Sequence, residues 1–522
     1  MDKRKLISTL LLIPFLGGCC WFKKKDTRKP LEIPPVDVLS MTLTLPQRQS
    51  SSGNIYTKDG YEYLDIYELS DFHGAVNYKE GENIGLAKLS TFLKKKRQEN
   101  PGGTIVVSSG DMFQGSCESN LTRGYMVNYA MNYMDFDAMA VGNHEFDWTE
   151  TWLKNNAELS YNGHITPMLG SNIVYKSNNQ RPDYLKASTI ITRGDYKIGI
   201  IGSIGDKLKS SILRSSIEPF DFINEVDAVN SEAAALKASG CNFVIWNSHN
   251  SVDYLHDEVS SISNVDICFG GHAHQDDMEF GTTPKIIATK NNGGSIGYAS
   301  LKINKSTKQL EDVYIDHLSL NEIDASSLEE DPNVKSIMNQ YNVEIDKVKN
   351  IKLGSTDGDL HKSGELCNLC TKSMYDSAAK FLNDNPQYGI SKDSLVAAFH
   401  NGVGGVRAEI KKGDIYYSNV YQACPFDNEL VLKEIKGYQI SDQKFHNFGI
   451  YHPGKTSDIQ SSQKYYIVLN DFIATSTLHY NDDELVRTGL ILRDELAKYI
   501  YQEENIKVSS YEVGTENFSH YY

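Results

Sequence analysis
The chain has 522 residues, of which 40% are hydrophobic and 23% charged, with a formal net charge of -16 at neutral pH. That length exceeds what one ordinary hydrophobic core serves, so two sizeable domains are expected, and the mixed composition belongs to a globular chain. The acidic balance argues against binding nucleic acid through its backbone, which needs clustered Lys and Arg. It leaves small phosphorylated substrates open, because a bound cation dominates its local field.

The chain starts with Lys3, Arg4 and Lys5, an apolar run from Leu6 to Leu16, and small residues ahead of Cys19. The run is short of the roughly 20 residues that a spanning helix needs, so residues 1–18 read as an export signal. Leu16-Gly17-Gly18-Cys19 resembles the bacterial lipobox, after which a signal is removed and the new N-terminal cysteine is lipidated. The resemblance implies an exported protein, lipid-anchored through Cys19 to a bacterial membrane on the periplasmic side or the cell surface. Residues 19–60 would then be a tether. The plainer alternative is a cytoplasmic protein with an apolar N-terminus.

From Tyr61 to about Leu320, strand-like apolar runs alternate with helical and loop segments, among them Thr104–Val107, Ile198–Ile201, Phe243–Trp246 and Val265–Phe269. Several end in Gly, Ser, Asp, Asn or His, as in an α/β domain with functional groups on loops at strand ends. Residues 331–350 read as one helix, with Pro332 near its start and Val334, Ile337, Met338, Tyr341 and Ile345 at helical spacing. The expected organisation is a domain at 61–325, a linker helix at 326–350 and a smaller α/β domain at 351–522. Cys367-Asn-Leu-Cys370 lacks the second pair that a zinc site needs. It reads either as a local disulfide or as two free thiols on one helical face.

Five short elements place metal-ligating or proton-transferring side chains directly after apolar runs: Ser70-Asp-Phe-His-Gly74, Ser109-Gly-Asp111, Gly142-Asn-His-Glu-Phe-Asp147, Asn247-Ser-His249 and Gly270-Gly-His-Ala-His274. Each alone has a dull reading as solvated turn residues. Together they supply carboxylate, amide oxygen and imidazole, a mixed donor set suited to Zn, Mn, Fe, Co or similar divalent ions.

In that order the elements resemble the calcineurin-like metallophosphoesterases and, more narrowly, the 5′-nucleotidase family. The resemblance implies a four-layer α/β/β/α sandwich holding two divalent metal ions. Asp71, His73, Asp111 and His274 would hold one ion. Asp111, Asn143, His249 and His272 would hold the other, with Asp111 bridging. A hydroxide shared by the two ions would attack phosphorus, His144 would stabilise the transition state or donate a proton, and Asp147 would orient His144. Some relatives carry Gln where this chain has His274. Glu145 and Phe146 would anchor the turn.

The C-terminal half resembles the substrate domain of the same family. Asn401-Gly-Val-Gly-Gly-Val-Arg407 is similar to the family's N-G-G-G-[IV]-R loop, placing Asn401 at the base and Arg407 at phosphate or ribose. Pro425-Phe-Asp-Asn428 is similar to P-F-G-N, implying a substrate role for Phe426 and Asn428, and Asn470–Thr475 to the segment carrying a second stacking ring, Phe472. Two positions depart from the pattern: Leu478 stands where a sugar-binding Asp is expected, and Lys362 replaces an arginine. The function implied is hydrolysis of nucleoside 5′-monophosphates to nucleoside and phosphate. The alternatives are a phosphoesterase acting on UDP-sugars, 2′,3′-cyclic nucleotides or another phosphate ester, and a non-catalytic surface lipoprotein that captures ligands.

Overall fold
The strands of the N-terminal half carry apolar side chains on both faces, as strands buried between two layers must. In Tyr61–Leu69, Leu64 and Ile66 point into one cluster while Tyr67 and Leu69 point into another, the period-two alternation of a pleated strand. Phe243–His249 behaves alike, with Phe243 and Ile245 on one side and Val244 and Trp246 on the other. The computed structural model describes residues 29–50, 52–442, 445, 448–454, 458–512 and 517–520. The expected signal segment and Cys19 lie outside the described residues.

One N-terminal sheet runs Leu310–Ser319, Ser295–Asn304, Tyr61–Leu69, Thr104–Ser108, Ala138–Ala140, Met168–Leu169, with Thr57–Lys58 added beside Tyr61–Leu69. Its last four strands are parallel. The second sheet runs Asp277–Glu279, Lys285–Ala288, Ile267–Gly270, Phe243–His249, Tyr196–Ile204, Ser188–Arg193, and its central four strands are parallel. Leu64, Ile66, Ile105 and Val107 from the first sheet meet Ile198, Ile200, Ile245 and Phe269 from the second in one dry cluster. Helices Gly85–Glu99, Tyr125–Tyr133 and Pro332–Lys349 cover the outer face of the first sheet, and Glu225–Ala238 and Val252–Glu258 that of the second. The expected α/β/β/α sandwich is the observed one.

The smaller C-terminal domain is also α/β. Its six-stranded sheet runs Leu485–Ile491, Glu429–Lys436, Lys464–Asn470, Leu395–His400, Gly449–Tyr451, Phe518–His520, with helices Glu365–Asp384 and Leu492–Glu503 packed on one face. Cys367 and Cys370 are both buried in the first of those helices, and all six cysteines among the described residues are free thiols. Cys367 faces the His400 ring at 3.8 Å and Cys370 faces Cys424 at 3.7 Å, so the local disulfide alternative fails because the two side chains point to different partners.

Part of the stretch expected to act as a free tether instead lies along the body. Leu31 and Ile33 pack against the C-terminal core, Met41, Leu43 and Leu45 against the N-terminal one, and Val36 against both. The physical reason is its alternating apolar content, which binds it to exposed apolar seams. No helix among the described residues is long and apolar enough to cross a membrane.

The helix read from 331–350 spans Pro332–Lys349, with Asp331 as its N-cap and Pro332 in the first turn. Val334, Ile337, Met338, Tyr341 and Ile345 lie in the N-terminal core, whereas Val348 reaches the C-terminal one. Asp331 also accepts from Ser90 Oγ and Lys94 Nζ at 2.6 Å each, Tyr133 OH at 3.1 Å and Gln49 Nε2 at 3.2 Å. Burial opposes the charge on Asp331, but Lys94, Ser90 and the Asn333 N–H outweigh it and hold the carboxyl below its usual range. Stability drawn from this group is therefore complete above the ordinary carboxylate pKa and is lost as pH falls through the depressed one. Asp331→Ala is expected to lower stability by about 2–4 kcal/mol in urea unfolding, because it removes a cap and orphans several buried donors. Asp331→Asn should flatten that acid-side slope.

Candidate metal centre and active site
The five elements follow the carboxyl ends of parallel strands, so both sheets deliver them to one edge of the sandwich. Asp71 and His73 follow Tyr61–Leu69, Asp111 follows Thr104–Ser108, and Asn143 and His144 follow Ala138–Ala140; His249 ends Phe243–His249, and His272 and His274 follow Ile267–Gly270. Five of these residues, Asp71, His73, Asp111, His272 and His274, have left-handed backbone, with φ from 48° to 68°. Such strain is concentrated where surrounding structure over-determines a site. Gly142 is required there, because a Cβ would lie 2.3 Å from Asp111 Oδ1.

Two clusters form. In the first, His274 Nε2 lies 3.0 Å from His73 Nε2 and 3.3 Å from Asp71 Oδ1. In the second, His249 Nε2 lies 3.1 Å from Asp111 Oδ2 and 3.0 Å from Asn143 Oδ1, and His272 Nδ1 is 3.0 Å from the same amide oxygen. Within each triad, Asp71–His73–His274 and Asp111–His249–His272, the donor atoms lie within 4.8 Å of one another.

The chemistry of these donors fits metal ions. Asp71 Oδ1 and Asp111 Oδ2 are buried without a hydrogen bond, and a buried carboxylate oxygen left so is costly unless a cation meets it. Burial raises both carboxyls toward neutrality, but the imidazoles, chiefly His274 at Asp71 and His249 at Asp111, reverse this and hold both below the usual range. Burial and neighbouring imidazoles push His73 down to about 3 and His272 down to about 4, so both rings offer neutral lone pairs. His73 Nδ1–H donates to the Gln114 carbonyl and His249 Nδ1–H to the Ser109 carbonyl, each at 2.8 Å, which aims both Nε2 atoms inward.

Glu145 holds the turn. Its carboxylate accepts from the backbone N–H groups of Asp111 at 2.9 Å, Met112 at 3.0 Å and Gly142 at 2.8 Å, tying two ligand loops together. His144 donates from Nδ1 to Asp147 at 2.8 Å, leaving Nε2 for the cavity. Burial alone would lower the His144 pKa; Asp147 and Asp111 instead push it up to about 9.

The clusters lie against a cavity of about 680 Å³ between the two domains. Asp111, Asn143, His144, His272 and His274 line one wall, and Asn401, Arg407, Phe426, Asn428 and Phe472 line the other. Asp71, His73 and His249 are buried in the clusters. Sequence reasoning missed several wall residues. Ser210, Ser211 and Leu213 reach in from a loop of the N-terminal domain, and Trp148, Phe448 and Thr477 complete the wall. Trp148, one residue beyond the His144 turn, was the only one with a local signal. Leu478 packs against an apolar cluster of the C-terminal domain, while Thr477 lines the cavity. Lys362 is exposed and does not line the cavity.

Residues 64–276 match the calcineurin-like phosphoesterase family, and residues 345–443 match the 5′-nucleotidase C-terminal domain. The chain is similar to an endonuclease of Bacillus subtilis (strain 168), 26% identical over 505 residues and covering 87% of this chain. The chain spans only 38% of that relative's length. It is also similar to the 5′-nucleotidase of Bos taurus, 24% identical over 396 residues that make up 70% of this chain and 67% of that one. Among solved structures, the 5′-nucleotidase precursor from Thermus thermophilus superposes with a TM-score of 0.66 at 19% identity, covering 85% of this chain and 97% of that one, a likeness of fold.

Glu145→Gln should weaken metal affinity by about 10–100-fold, because an amide cannot accept all three N–H bonds that aim the ligand loops. Calorimetric titration of the apoprotein with Mn²⁺ checks this, and unchanged affinity would remove Glu145 from the ligand scaffold.

Proposed function
The chain belongs to the 5′-nucleotidase family of calcineurin-like phosphoesterases, and on that footing we propose that it is a metal-dependent 5′-nucleotidase, releasing nucleoside and phosphate from nucleoside 5′-monophosphates. The observation that carries this reading is one cavity with two chemistries. Orphaned carboxylate oxygens among imidazoles lie on one wall, and two aromatic rings with an arginine lie on the other.

Two divalent ions of the Zn, Mn or Co type, when bound, polarise the phosphoryl group and activate the attacking water. Asp71, His73 and His274 would hold one, and Asn143, His249 and His272 the other, with Asp111 between them. In this reading the protonated His144 ring directs Nε2–H at a phosphoryl oxygen, opposing the negative charge that grows there as the P–O bond breaks. Asp147 orients the ring through Nδ1 and favours its protonated form. Arg407 meets the phosphate or ribose. Phe426 and Phe472 hold the base, a contribution of about 1–3 kcal/mol per stacked base in comparable sites. Asn401, whose Oδ1 accepts from Asn470 Nδ2 at 3.1 Å, keeps its own amide N–H groups for the base. The hydroxyls of Ser210, Ser211 and Thr477 serve the sugar.

A second reading, a phosphoesterase for UDP-sugars, cyclic nucleotides or another phosphate ester, draws on Leu478, which stands where the family pattern has a carboxylate, packs against an apolar cluster and offers a ribose hydroxyl no acceptor. Export, with a lipid on Cys19, belongs to the same proposal and is supported by the basic and apolar N-terminal run ahead of a lipobox-like segment.

Phosphate release from a panel of nucleoside monophosphates, UDP-sugars and cyclic nucleotides with Mn²⁺-loaded protein decides between the two readings. Preference for a monophosphate supports the nucleotidase, and silence on every nucleotide ends it. His144→Ala should lower kcat by roughly 10²–10⁴ while metal content measured by mass spectrometry is retained. Asp111→Ala should lose both metal and turnover. Cys19→Ala should move the protein from the membrane to the soluble fraction of the cells that make it.

A further inference from the structure
Asp427 stands where the pattern matched by Pro425–Asn428 has glycine, and this additional carboxylate has one arginine from each domain. Arg123, between helices Cys117–Leu121 and Tyr125–Tyr133 of the N-terminal domain, donates from Nη1 to Asp427 Oδ2 at 2.5 Å. Arg493, in helix Leu492–Glu503 of the C-terminal domain, donates from Nη2 to Oδ1 at 2.7 Å. Arg493 is 5% exposed and lies over the Tyr421 ring at 3.9 Å. Its other amino group reaches the carbonyls of Pro425 at 3.2 Å and Phe426 at 3.3 Å. From the N-terminal side, Asn120 Nδ2 meets the same Pro425 carbonyl at 3.4 Å. The Pro425 carbonyl and the Asp427 carboxylate, on either side of Phe426, are therefore gripped from both domains. The ring it carries, Phe426, lies 6.0 Å from the His144 ring at 17° and 5.9 Å from the Arg407 guanidinium.

An exposed ion pair contributes little. This one differs, because two guanidiniums share one carboxylate and one of them is buried, so loss of either partner leaves unbalanced charge in the wall of the cavity. We propose that Asp427 is a positioning residue for nucleobase binding: held at once by Arg123 and Arg493, it sets the Phe426 ring at its stacking distance from the metal-lined wall across the domain boundary. This rests on the nucleotidase reading. It also separates substrates by structure, because a phosphate ester without a base has no use for the Phe426 ring.

The test is steady-state kinetics of the Mn²⁺-loaded full chain on AMP and on glycerol 2-phosphate, an ester with no ring to stack. Arg123→Ala should raise KM for AMP about tenfold, with kcat held within about twofold and KM for glycerol 2-phosphate unmoved. Arg123→Lys should recover part of the loss, since an ammonium keeps the charge but not the planar fork. Asp427→Asn should raise KM for AMP at least as much, because it weakens the pair with Arg493 as well, and the double variant should be no worse than Asp427→Asn alone, because the asparagine has already removed the pair that Arg123 makes. Equal shifts on both substrates, or none on either, would overturn the positioning role. Wild-type protein that cleaves glycerol 2-phosphate but no nucleotide would sink the nucleotidase reading, and this role with it.

Discussion
Two buried carboxylates set the terms for this structure. Asp71 and Asp111 each keep an oxygen without a hydrogen bond in a dry place, which costs several kcal/mol per ion unless a cation answers it. The remaining contacts serve to hold that arrangement. Glu145 binds three N–H groups of the ligand loops, carbonyls fix the His73 and His249 tautomers, and five ligand residues accept left-handed backbone. The rigid two-sheet core beneath supplies the stability that such strain consumes.

The cavity divides its work along the domain boundary. The N-terminal wall concentrates oxygen and imidazole donors, and the C-terminal wall concentrates rings, amides and an arginine. An acidic chain of net charge -16 can still attract a phosphate there, because bound dications dominate the field at ångström range. Overall charge describes the surface and says little about the site.

Cross-domain contacts recur around that cavity. The segment 29–50 packs on both cores, helix Pro332–Lys349 ends with Val348 in the second core, and Ser476 Oγ both donates to the Ile212 carbonyl and accepts from the Arg214 N–H. Arg123 and Asp427 add a charged link. Several small interactions therefore tie the two walls of the cavity to one another.

Much of the metal site was legible in the sequence because its chemistry is local. Each ligand sits within a few residues of the end of an apolar strand, and neighbouring glycines encode the turn that aims it, so residue types and order were enough to nominate the metal-ligand candidates. The apolar strand runs, Pro332 near a helix start and the helical spacing of Val334 to Ile345 were readable for the same reason. The tertiary structure alone decided which side chains meet. Asp427 has its partners some 304 and 66 positions away, a separation that no window on the sequence spans. Thr477 and not Leu478 faces the cavity because Ile473–Thr477 forms a wide turn, with the Leu478 N–H bonding five residues back to Ile473, which shifts the phase that ordinary helical spacing assumes. Local sequence determined what each group can do; long-range packing determined which groups do it together, because proximity in a folded chain is set by the closure of a shared core.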